Sequence, residues 1–225
     1  MFDFIDFTES GRNGNLEISF DFTVGPSKDL MIKGNRFYAI WDEENKIWTT
    51  DEFRAIEMID SQLRNYISKK PKIEGVRMLP KYISSSKSGS SDLWKKYTTK
   101  LMPDNFKPLN TKVIFKSQET KRSDHASIRV DYDLEEGEPE NYNKMFSKFF
   151  DPEELQKLEW AIGSILTGDS KKIQKFIVLY GDPGTGKSTY IDYVIKALFP
   201  GYYTEFTAKD LASGSDQFAM EPFKD

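Results

Sequence analysis

The chain has 225 residues, 38% of them hydrophobic and 30% charged, with a net charge of −4. That length allows one large domain or two modest ones. No apolar run approaches the roughly 18 residues of a membrane span, so no membrane partner is expected. The absence of cysteine excludes disulfides, thiolate metal sites and a Cys nucleophile, and it permits a cytoplasmic location.

The opening residues Met1–Asp6 carry acids where a signal peptide would carry bases. Leu16–Phe22 alternates apolar and polar residues, the pattern of a half-buried strand. Arg36–Trp41 and Lys46–Thr49 flank the polar stretch Asp42–Asn45 and predict a β-hairpin. Thr49 stands three residues before Glu52, a capping-box spacing. Phe53, Ile56, Ile59, Leu63 and Tyr66 or Ile67 then form the apolar face of a predicted helix. The aromatic residues of this region are read as core, with base stacking as the functional alternative.

Ser84–Ser91 (SSSKSGSS) reads as a flexible linker or loop tip. Trp94–Arg129 is basic, with nine Lys and Arg against three acids. A DNA-binding face would run through Lys95, Lys96 and Lys100, and a merely solvated face is the alternative. His125, the one histidine, has no partner at a catalytic or metal-ligand spacing. Six acids without a base then lie between Asp131 and Glu140, with Gly137 and Pro139 among them. This self-repelling run predicts a domain boundary. The expected division is an α+β module over 1–130, an acidic linker over 131–143, and a further domain over 144–225.

Asp151 is placed to cap a helix, with Pro152 in its first turn and Glu154 at the capping-box position. Leu155, Leu158, Ile162, Ile165 and Leu166 make its predicted buried face, and Gly168 ends it. The stretch FIVLYGDPGTGKSTYIDYVIKALF (Phe176–Phe199) follows. Phe176–Tyr180 is a short β-branched and aromatic run, predicted as a fully buried strand. Tyr190, Ile191, Val194, Ile195 and Leu198 recur at helical spacing, with Gly201 as the stop.

Between strand and helix, Gly181-Asp182-Pro183-Gly184-Thr185-Gly186-Lys187-Ser188 fits G-x-x-x-x-G-K-[ST], and Thr189 continues it. Several backbone N–H groups must converge on a triphosphate, and side chains would obstruct them. Glycine therefore suits positions 181, 184 and 186. The helix behind the loop presents unpaired N–H groups and about half a positive charge to the phosphates. Lys187 is the candidate catalytic lysine, on the β- and γ-phosphates, and Ser188 the candidate Mg2+ ligand. The competing reading is a glycine-rich turn that binds nothing.

The order LEWAIGSILTGD (Leu158–Asp169), QKFIVLYG (Gln174–Gly181) and GDPGTGKST (Gly181–Thr189) resembles the phage, plasmid and poxvirus-type primase–helicases, whose motors are superfamily 3 helicases. FYAIWDEENKIWTTDEF (Phe37–Phe53) is similar to the module before the motor there, and Lys112–Asp133 to the joining segment in phage members. The resemblance implies an α+β N-terminal module followed by the start of an α/β, AAA+-like P-loop NTPase domain. It also implies Mg-ATP held by Gly181 through Thr189, movement on single-stranded or forked DNA as a homo-hexamer, and other replication proteins as partners. The location would be cytoplasmic, that of the bacterial host if phage-encoded.

Two departures from the family pattern stand out. No primase or polymerase domain precedes the module, and only 38 residues follow Lys187. Among Asp192, Glu205, Asp210, Asp216, Glu221 and Asp225, none follows four apolar residues in a row, as the acid of a second ATPase strand would. In Tyr202–Phe206, a possible strand, the acid lies mid-strand. The expectation is the front part of a longer protein, with the ATPase domain incomplete at its C-terminus and inactive on its own. A non-enzymatic assembly or recruitment module and a P-loop small-molecule kinase are the alternatives.

Overall fold

The computed structural model of the protein describes residues 1–33, 37–85, 90–100, 109–205 and 207. These form a mixed α/β protein with two small three-stranded sheets. The chain divides into two compact units, Met1–Pro108 with Lys121–Ser127, and Leu109–Thr120 with Ile128–Asp225. Among the described residues no helix is long and apolar enough to cross a membrane.

In the first unit, β1 (Ile5–Arg12) and β2 (Asn15–Phe22) form an antiparallel pair, and β6 (Arg77–Pro80) lies parallel on the other edge of β2. The register sets Ile5 opposite Phe22 and Phe7 opposite Phe20, so alternate residues on one face are apolar. The second sheet has the order β3 (Leu30–Lys33), β4 (Phe37–Asp42), β5 (Ile47–Thr49). Its β4–β5 pair is the hairpin predicted from sequence, with Trp41 opposite Trp48.

Helix α1 (Glu52–Ser68) buries Ala55, Ile59, Asp60 and Leu63. Two expectations about α1 are corrected. Its N-cap is Asp51 rather than Thr49, because the Asp51 carboxylate accepts from the Phe53 and Arg54 amides at 2.8 and 3.4 Å. Phe53 is 86% exposed, since it sits in the first turn on the side away from Ala55 and Ile59. Asp60 is buried and accepts from the Ile83 and Ser84 amides at 2.7 and 3.1 Å, which ties the chain after β6 to α1.

Of the Ser-rich stretch, 86–89 lie outside the described residues, while Ser90 and Ser91 open helix α2 (Ser90–Lys100). Trp94 and Tyr97 of α2 are buried in the core with Phe4, Phe20 and Ile59. The core role expected of the aromatics in the first third is what packing gives Phe20, Trp41 and Trp48, all buried. Lys121–Ser127 also packs in this unit. Ala126 O accepts from the Trp48 amide at 2.7 Å, and Arg122 O accepts from the Trp48 indole at 2.9 Å. The Arg122 guanidinium reaches the buried Asp29 at 2.9 Å and Glu43 at 3.1 Å and lies over the Trp41 ring. Part of the basic stretch therefore serves the fold. Arg129, in the other unit, likewise donates to Phe115 O at 3.2 Å and to Thr120 Oγ1 at 2.8 Å.

In the second unit, α3 (Glu140–Phe146) and α4 (Pro152–Leu166) precede a short helix α5 (Ser170–Ile173). The capping box of α4 is complete, with the Glu154 amide donating to Asp151 at 2.9 Å and the Asp151 amide to Glu154 at 3.2 Å. Leu158 is buried as predicted, but Ile165 is 38% exposed. A further helical run follows: α6 (Lys187–Tyr190), a π-helical turn (Ile191–Ile195) and α7 (Lys196–Leu198). Its inner side meets α4 in two clusters, one around Phe146, Leu158, Tyr190 and Val194, the other around Val113, Val130 and Phe199. Residues 109–120 and 128–143 thus fall in the second unit, because Val113 and Val130 are buried there. The acids from Asp133 to Glu140 remain exposed.

The buried strand expected at Phe176–Tyr180 is not formed. These residues have no regular secondary structure, and Phe176, Val178 and Tyr180 are 86%, 68% and 97% exposed. A strand needs a neighbour to pair its amides and carbonyls. Both sheets lie in the first unit, and among the described residues of the second no strand offers that pairing. Tyr202–Glu205 is likewise outside any strand, and Phe206 lies outside the described residues.

Candidate functional site

The loop Gly181–Ser188 takes its shape from local chemistry. Gly184 and Gly186 have φ of 82° and 80°, a left-handed backbone that costs glycine little. Gly186 is the N-cap from which α6 starts, and its carbonyl accepts from the Tyr190 amide at 2.9 Å. The turn is braced by Thr185, whose hydroxyl donates to Asp182 O at 2.9 Å.

Lys187 folds back over the loop. Its ammonium donates to Gly181 O at 2.9 Å, Asp182 O at 2.7 Å and Thr185 Oγ1 at 2.9 Å. A Cβ on Gly181 would stand 3.8 Å from Lys187 Nζ and 3.4 Å from Thr185 Oγ1, at the seat the lysine occupies. Beside this seat is a cavity of about 510 Å3, lined by Gly181, the run Pro183–Thr189 and Phe149. Among the described residues Lys187 is the one charged residue in that lining, so the cavity is electropositive and suits an anion. The Ser188 side chain is exposed and makes no hydrogen bond among the described residues. Asp182 and Pro183 are exposed on the loop, and Thr189 is half-buried on the first turn of the helix.

The helix behind the loop is held by one residue in particular. Tyr190 is buried, and its ring lies 5.0 Å from Phe146, 5.6 Å from Phe150 and 6.3 Å from Tyr142. The Tyr142 and Tyr190 hydroxyls are 3.2 Å apart. Burial raises the pKa of both phenols, so the pair stays neutral. Phe149 lies against the loop itself, where a Cβ on Gly186 would come within 2.6 Å of its Cγ. Phe149 and the Tyr142–Phe146–Phe150 set are the site residues that motif reading misses. The available signal is the four-residue spacing of 142, 146 and 150, one face of a helix turning into the next segment.

The structure brings Gly181 through Thr189 together in one loop and helix turn. Lys95, Lys96 and Lys100 are elsewhere, on α2 of the first unit, exposed on the side opposite Trp94 and Tyr97. Lys107, another base of the Trp94–Arg129 stretch, lies outside the described residues. His125 is half-buried and caps a short turn with φ of 48°. Among the described residues no group of three or more acids or histidines is placed to hold a metal ion. The exposed Ser188 hydroxyl offers a hard oxygen of the kind that a divalent cation such as Mg2+ takes. No protein-family model matches the chain, and no match is found among the curated proteins or the solved structures.

Proposed function

We infer that this protein binds Mg-ATP through Gly181–Thr189, as the nucleotide-holding part of a DNA helicase of the primase–helicase type. The observation that carries the reading is the electropositive cavity at the start of the helix, with the Lys187 ammonium poised at its edge. Lys187 donates to two backbone carbonyls and the Thr185 hydroxyl. A triphosphate offers it charged oxygens instead, and charge-assisted contacts are the stronger ones. The free amides of the first helical turn complete the cradle. Mg-ATP, when bound, supplies a phosphoryl group whose transfer to water drives movement. The chain's own residues hold and orient it, with Ser188 toward the metal and Tyr190 fixing the helix.

The test is titration of a fluorescent ATP analogue in Mg2+ against the unaltered protein and Lys187→Ala. Loss of the ammonium contact is expected to cost about 1.5–3 kcal/mol, roughly a ten- to hundredfold weaker Kd. Equal affinities would remove the assignment.

Partners on this reading are single-stranded or forked DNA, further copies of the chain in a homo-hexameric ring, and other replication proteins. The exposed Lys95, Lys96 and Lys100 on a helix anchored by Trp94 and Tyr97 support a DNA-facing surface. Binding to an oligodeoxynucleotide should then fall with log[salt] at a slope near −0.7 per phosphate contact, and neutralising the three lysines should flatten the slope. An unchanged slope returns α2 to ordinary surface.

A further inference from the structure

A second cavity of about 420 Å3 adjoins the loop cavity, and the two share Phe149, Gly181, Thr185 and Lys187. We propose that this second cavity is the subsite for the nucleotide base, with Phe149 as the stacking platform and Glu154 as the group that reads the base edge. The proposal rests on the nucleotide reading above and extends it from the phosphates to the rest of the ligand.

Three observations carry it. The first is adjacency: a nucleotide whose phosphates occupy the loop must place its base about a ribose's length beyond them, and the adjoining cavity lies beside that loop. The second is the character of the walls. Phe149, Phe150, Leu158 and Ile177 give apolar surface, while Glu154 and Lys157 supply a few polar groups, the composition that holds a flat ring with polar edges. Phe149 is 41% exposed, and unlike Phe146 and Phe150 it has no aromatic neighbour among the described residues, so its ring can stack. Its contact with Gly186 fixes that ring relative to the phosphate cradle.

The third observation is the division of labour among the charges. Lys157 is paired with Glu153 at 2.7 Å. Glu154 commits Oε2 to the Asp151 amide at 3.2 Å, and Oε1 has no partner among the described residues. An ionised carboxylate only accepts hydrogen bonds. The cavity therefore favours a base with an amino group on the facing edge, as in adenine, over one with a carbonyl there.

The experiment compares Mg2+ complexes of tripolyphosphate, ATP and ITP on the full chain and on Phe149→Ala, Phe149→Tyr and Glu154→Gln, by competition with a fluorescent ATP analogue. ITP carries a carbonyl where ATP carries the amine. In the unaltered protein ATP should bind more tightly than both tripolyphosphate and ITP. Phe149→Ala should weaken ATP about tenfold, the scale of one lost stacking contact, and leave tripolyphosphate unchanged. Phe149→Tyr should restore ATP binding. Glu154→Gln keeps the capping box and should narrow the gap between ATP and ITP.

Unchanged ATP affinity in Phe149→Ala, with tripolyphosphate still bound, overturns the base subsite while leaving the phosphate cradle in place. Parallel loss of ATP and tripolyphosphate, unrescued by Phe149→Tyr, assigns Phe149 to loop packing and overturns it too. Failure of tripolyphosphate to bind the unaltered protein removes the cradle and the subsite with it.

Discussion

β2 and the segment Phe176–Tyr180 both read as strands in the sequence, the first half-buried and the second fully buried, and come to different ends. β2 lies between β1 and β6, so both of its edges are paired, and it buries Ile18 and Phe20 against α1 and α2. Phe176–Tyr180 has no neighbour, belongs to no sheet and exposes most of its side chains. The loop immediately after it is nevertheless well formed. Strand character is a property of a pairing, whereas a glycine turn and a capped helix close their hydrogen bonds within a few residues.

The difference has measurable consequences. The largest lies in the first unit: Ile59→Ala empties part of a fully buried site and should cost about 2–5 kcal/mol. Val178→Ala, at a site 68% exposed, should change stability by no more than about 0.5 kcal/mol. Urea unfolding followed by tryptophan fluorescence and by far-ultraviolet circular dichroism measures both. A large cost at Val178 would mean that the segment is buried in solution, and the contrast with β2 would fail.

Next comes the ionic anchor of the β4–β5 turn. Asp42 is buried. Burial pushes its pKa up, but the Asn45 amide at 2.8 Å, the Asn45 and Glu44 backbone amides and the Arg54 guanidinium at 3.1 Å more than offset this, leaving it below the ordinary value. A carboxyl lowered in the folded state stabilises at pH above its unfolded pKa of about 3.9 and loses that contribution as pH falls through the folded value. Asp42→Ala should therefore cost about 1.5–3 kcal/mol at pH 7. The gap between the two proteins should close progressively below about pH 4. A gap that stays constant down to pH 2 would deny Asp42 this role.

The smallest pair sharpens the comparison inside the second unit. Gly168 ends α4 with φ of 75°, and a Cβ there would lie 2.6 Å from Thr111 O. Gly168→Ala should destabilise by about 1–3 kcal/mol. Gly163 lies within α4 with nothing within 4 Å of an added Cβ, so Gly163→Ala should stabilise by about 0.5–1 kcal/mol. Thermal melts that move both in the same direction would contradict the packing of α4 described above.

Much of this was legible without coordinates because it is local. The Asp151–Glu154 box, the stop at Gly168, the β4–β5 hairpin and the turn Gly181–Lys187 all close between residues a few positions apart. The sequence alone determined those, along with the chemistry that the loop residues offer to a phosphate. Even a local reading fails when two caps compete: Thr49 and Asp51 both suit the start of α1, and only geometry gave the cap to Asp51.

The tertiary structure decided what depends on distant partners. It set β6 along the second edge of β2, turned Arg122 and Arg129 inward from a stretch that reads as a basic face, and drew Lys121–Ser127 into the first unit. It also closed Tyr142, Phe146 and Phe150 around Tyr190 and laid Phe149 against Gly186. In each case the choice was made by a burial or a hydrogen bond between residues far apart in the chain, and the energy of such a contact exists only once the two ends have met.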